Sequence, residues 1–121
     1  MAALDTVGQY IKESRRLLQD EDVPYRYPDG DFIDALNFAL LEARRLRADL
    51  LLPTFTIPWF DPGKTTTPDL AVKVPFEPMY RPALVFYICG RIQVRDEEPT
   101  TDTRASAFMT KFTAVMLSID A

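Results

Sequence analysis

The sequence predicts a mainly α fold: a four-helix bundle with a proline-rich extended arm or β-hairpin inserted between helices 2 and 3. Three observations predict it. Apolar residues recur at three-and-four spacing through residues 4–19, 30–51, 80–96 and 102–119. Seven of the ten prolines crowd into residues 52–82, which excludes helix from most of that length, because an internal proline removes a donor and clashes with the preceding turn. The 121 residues, 47% hydrophobic and 26% charged, suit one globular domain that hides roughly two-thirds of its unfolded surface.

In the first helix, Thr6 and Gln9 have the form of a capping box, in which each side chain satisfies the other's open backbone N–H. Val7, Tyr10, Ile11, Ser14, Leu17 and Leu18 line one face, and Lys12, Glu13, Arg15 and Arg16 fall on the other. An acidic run, residues 19–22, and then Pro24 end it. The connector that follows holds Tyr25, Arg26 and Tyr27, whose rings either close the base of the core or form a stacking spot for a partner.

Residues 29–52 read as the helix around which the rest is organised. Asp29 and Asp31 at its start can accept from first-turn N–H groups, and Arg44, Arg45 and Arg47 at its end suit the helix dipole. Phe32, Ile33, Leu36, Leu40 and Ala43 mark one face, while Phe38, Leu41, Leu46 and Leu50 spread apolar surface beyond it. A helix apolar on more than one side is buried centrally or meets a second protein.

The arm, about residues 53–78, alternates at period two through Phe55, Ile57 and Trp59, then through Leu70, Val72, Val74 and Phe76. A polar tip, residues 61–69, separates the two runs. Phe55, Trp59 and Phe60 are the candidate interface anchors, with Val72, Val74, Tyr25, Tyr27, Arg44, Arg45 and Arg47 as further contact residues. The alternative is that the aromatic side chains fold back on their own helices. Residues 82–96 are rich in β-branched and aromatic side chains and would pass as a buried strand, but their length favours helix. After a break at residues 96–102, Ala105, Phe108, Met109, Phe112, Val115, Met116 and Ile119 repeat without a miss.

The composition narrows function. The chain has no histidine, which removes the usual general base near neutral pH and the commonest metal ligand. Neither catalytic, cofactor-binding nor metal-binding residues are expected, and the protein is not expected to be an enzyme. Gly63-Lys64-Thr65 suggests a phosphate loop, but the motif needs a glycine where Pro58 stands. The acids from Asp20 to Asp34 lack the ligand ladder of a calcium loop. A net charge of −4 argues against a dedicated nucleic-acid binder. No apolar run approaches the roughly 20 residues of a membrane span, and the first residues lack the basic-then-apolar pattern of a secretory leader. With the lone Cys89 in an apolar stretch, this leads to the expectation of a reducing cytoplasm.

The order of these features resembles the head–tail adaptor (connector) proteins of tailed bacteriophages. The likeness is carried by Leu17-Leu18-Gln19-Asp20, Arg26-Tyr27 and Phe32-Ile33-Asp34-Ala35-Leu36-Asn37 in the first half. In the second half it is carried by Val74-Pro75, Tyr80, Ala83-Leu84-Val85, Tyr87, Arg91, Arg104-Ala105 and Phe112. The resemblance implies a structural virion protein without catalytic residues, assembled in the host cytoplasm and located in the neck or tail region. It implies a homo-oligomeric ring of twelve copies between the portal and the tail or nozzle proteins, through which DNA passes without specific binding. The sequence here runs only a little beyond the last helix, so a portal-docking C-terminal tail of the family is not matched. The alternative function is a small helical protein-binding or regulatory module.

Overall fold

The computed structural model describes residues 4–47, 59–76, 78–94 and 99–117. They form a mainly α fold: α1 (Val7–Leu18), α2 (Asp29–Leu46), the short α3 (Thr67–Leu70), α4 (Arg81–Val94) and α5 (Pro99–Met116), with a 3-10 turn at Pro78–Tyr80 leading into α4. The predicted ends at 48–51, 95–96 and 118–119 lie outside the described residues. α5 begins at Pro99, inside the expected break, because a proline in the first turn has no helical N–H bond to lose.

The capping box forms as the sequence predicts. Thr6 Oγ1 accepts from Gln9 N at 3.3 Å, and Gln9 Oε1 accepts from Thr6 N at 2.9 Å. α1 ends on Gln19 in the left-handed region (φ 57°), where Gln19 N donates to Arg16 O and Asp20 N donates to Arg15 O. This is the Schellman arrangement, which brings the side chains of Arg15 and Asp20 together. α2 departs from expectation at its start. Pro28 is the N-cap and makes no side-chain cap bond; the Asp29 carboxylate accepts from Arg15 at 2.6 Å.

The centre of the fold is α4, not α2. α4 packs against α1, α2 and α5, and Leu84, Val85, Ile88, Cys89 and Ile92 are all buried. α2 runs antiparallel to it: Arg91 lies over Phe38 near one end and Tyr80, just before α4, faces Arg47 near the other. α5 also lies antiparallel to α4, with Phe86 stacked near Phe108 and Tyr87 edge-on to Phe112. Gly90 permits the close approach of these two helices. A Cβ there would stand 3.2 Å from both Ala105 O and the Met109 side chain.

The insert is described from Trp59 on, so the first run of the expected arm or hairpin, Phe55 and Ile57, lies outside the described residues. Its second half turns back to the N-terminal segment: Val7 N donates to Val72 O, Val74 N donates to Asp5 O, and Thr6 and Lys73 form an antiparallel bridge. Residues 5–7 offer an open edge beside the core, so Val74 and Phe76 point inward and are buried there. The tip holds the small helix α3, whose Pro68 lies in the first turn where proline is tolerated. Two glycines seat the insert. A Cβ at Gly30 would come within 2.7 Å of Pro62 O, and one at Gly8 within 3.2 Å of Leu70 O.

Candidate protein–protein interface

The predicted contact residues are distributed over several environments. Phe55 lies outside the described residues. Val74 is buried in the chain's own core and so offers nothing to a partner. Arg47 turns inward, donating from Nη1 to Met116 O at 3.0 Å and stacking over Tyr80. It joins the ends of α2 and α5, where a cation meets an open C-terminal carbonyl. Tyr27 is half-buried and edge-on to Phe32. Arg44 and Arg45 are exposed, the latter paired with Glu42.

Trp59, Phe60 and Val72 are brought together. Phe60 is held by the buried Asn37 side chain, which accepts from Phe60 N at 2.9 Å and donates to Phe60 O at 2.8 Å. This amide clamp fixes the chain where it returns to α2 and leaves Trp59 68% exposed. Trp59, Phe60 and Val72 line a groove of about 420 Å³ together with Val7, Ile33, Asp61, Lys64 and Asp69. The tip between them is shaped by an Asx turn, in which Gly63 N donates to Asp61 Oδ1 at 2.8 Å. A phosphate loop would need those amides free to point at a ligand.

A second groove, of about 320 Å³, lies across α3 and is lined by Gly8, Ile11, Lys12, Tyr25, Glu21 and Leu70 above Arg15 and Asp29. Its floor is a polar hub. Arg15, expected on the solvent face of α1, is only 5% exposed. It donates to Asp20 at 2.7 Å and to Asp29 at 2.6 Å, and its guanidinium lies between the Tyr25 ring (3.8 Å) and the Phe32 ring (4.5 Å). Asp20 also accepts from Arg26 N and Tyr27 N. Two of the acids considered as cation ligands are thus occupied, and Tyr25 is the lid of the hub. Glu13, also expected outside, is buried under Arg16; the hydrogen bond from Arg16 holds its carboxyl below the usual value of 4.5.

A third surface was only half legible in the sequence. Phe38 and Leu41 of α2 reach solvent as their excess over the core face suggests, and Val94 of α4, one turn beyond Arg91, does so too. The Arg91 guanidinium lies 3.7 Å from the centroid of Phe38, joining the two helices in an aromatic–cationic ridge. Arg91 carried no interface signal of its own, since its partner is 53 positions away.

Burial pushes the Cys89 thiol up to about 12, so the sulfur stays protonated and is no nucleophile. Among the described residues no three His, Cys, Asp or Glu side chains are grouped to hold a metal ion, and no helix is long and apolar enough to cross a membrane. Compared with protein-family models, curated proteins and solved structures, the chain matches none.

Proposed function

We propose that the chain is a structural assembly subunit: a head–tail adaptor of a tailed bacteriophage, forming a ring between portal and tail and part of the DNA channel. One observation carries the proposal. The core is filled by α1, α2, α4, α5 and the returning insert, yet Trp59, Val72, Phe38, Leu41 and Val94 remain in water. Large exposed apolar side chains in groups mark interaction surfaces. The four longer helices act as the bundle, and the described part of the insert, residues 59–76, acts as the strap that carries Trp59 and Val72 to its surface. The net charge of −4 suits a conduit, since phosphate-gripping cations would slow DNA passage.

The test is the mass of the purified protein, alone and mixed with its portal protein, by mass photometry and negative-stain imaging. Ring-shaped assemblies of many copies are expected in at least one of the two. A compact monomer at every concentration, indifferent to portal, would overturn the proposal. The groove beside Trp59 also favours a second reading, a module that seats one segment of a single protein partner. That module would give a one-to-one complex and no ring.

A further inference from the structure

The two exposed apolar surfaces differ in shape, in charge and in position around α2. Asn37 faces the insert and Phe38 faces α4; as sequence neighbours they stand about 100° apart around the helix. On one side, Trp59 projects beside Asp61 and Asp69. These carboxylates accept from Gly63 N and the Thr66 hydroxyl, and among the described residues neither has a cation partner, Lys64 of the same groove included. On the other side, Phe38 and Val94 flank Arg91, which has no carboxylate partner among the described residues.

We propose that these surfaces are complementary halves of one head-to-tail contact: Trp59 of one copy packs on the Phe38–Arg91–Val94 ridge of the next. The proposal rests on the assembly reading and names its contact. A guanidinium already stacked on one ring presents its second face to another, and tryptophan is the side chain with the strongest attraction for it. Asp61 and Asp69, beside the incoming Trp59, then meet Arg91 and replace charge facing water with opposite charge across the contact. Because knob and ridge are different surfaces, each copy keeps one of each free after pairing. Such contacts propagate into a ring or a filament rather than stopping at a two-fold dimer.

The single tryptophan of the chain makes the contact observable. With the full chain, raising the concentration should shift Trp59 emission to the blue in step with assembly followed by sedimentation velocity. Trp59→Ala lacks the knob, and the pair Phe38→Glu with Val94→Glu lacks the ridge. Each should remain a single chain with unchanged helical circular dichroism at concentrations where the natural chain assembles. Mixed in equal amounts, they should form a complex of two chains and no more. The one remaining tryptophan, on the ridge-deficient copy, should shift to the blue. Should the double variant lose helicity, Arg91→Glu serves as the ridge lesion with the same expectations.

A natural chain that assembles while either variant assembles equally well overturns this contact and leaves the assembly reading standing. Two silent variants whose mixture is also silent mean a two-fold contact and overturn it as well. A natural chain that stays single, its tryptophan in water at every concentration and with portal present, overturns both.

Discussion

α2 and α4 are both apolar around most of their circumference, yet they stand in opposite situations. α4 has neighbours on several sides, with α1, α2 and α5 all packed on it. Its excess apolar surface is used inside the molecule, and only Val94, at its last residue, reaches far into water. α2 is covered by α1, α4 and the insert, held at Gly30 and Asn37. Phe38, at the edge of the α4 contact under Arg91, and Leu41 stay partly in water. The difference teaches that all-round hydrophobicity has two separate outcomes in one small domain. In α4 it reflects a central place in the fold, and in α2 part of it stays in water at Phe38 and Leu41.

The largest expected effect comes from uncovering α4. Phe112 of α5 is 2% exposed, with its ring centroid 4.9 Å from that of Tyr87. Phe112→Ala is expected to cost about 3–5 kcal/mol, the lost transfer energy plus the cavity left between the two helices. Urea unfolding of both proteins measures it. A loss below about 1 kcal/mol would mean that α5 does not cover α4, and the contrast between the two helices would disappear.

That contrast was not legible in the sequence, although the helices themselves were. Periodicity and the Thr6–Gln9 box suffice to place α1 because they are local properties of a few neighbouring residues. Which apolar helix is central depends on close approach elsewhere. Gly90 permits contact with Ala105, fifteen positions on, and nothing within residues 81–94 announces that partner. The polar hub was hidden for the same reason. Arg15 looks solvated by its position on α1, but its partners Asp20 and Asp29 and its flanking rings Tyr25 and Phe32 lie beyond the helix. The period-two run Leu70, Val72, Val74 and Phe76 is extended only from Val72 on, since Leu70 ends α3. The pattern could not say that residues 72–74 would bond to residues 5–7.

Cys89 gives an intermediate effect and reports on α4 directly. Its thiol is fully buried and its Sγ donates to Ser14 O at 3.6 Å. Alkylation of the folded protein at pH 8 should be at least about 100-fold slower than in urea, because it waits for local opening of the core. The pH dependence has a defined sign. Burial raises the thiol from its ordinary 9.0 to about 12, so the protonated core is fully stable below pH 9 and loses this contribution as pH rises from 9 towards 12. Cys89→Ala should flatten that alkaline decline. Reaction in the folded state as fast as in urea would place α4 at the surface.

The smallest expected effect is on α2's open face, and it is the one most able to break the comparison. Leu41 is 47% exposed, and glutamine at that position keeps a straight side chain of similar helix propensity. Leu41→Gln should change the unfolding free energy of the isolated chain by no more than about 0.5 kcal/mol, as surface substitutions generally do. Its only consequence for the dilute protein would be a less apolar surface. If the isolated chain instead lost more than about 1.5 kcal/mol, Leu41 would be covered within the same molecule. α2 and α4 would then be apolar for one and the same intramolecular reason, and no exposed side of α2 would need a second copy to hide it.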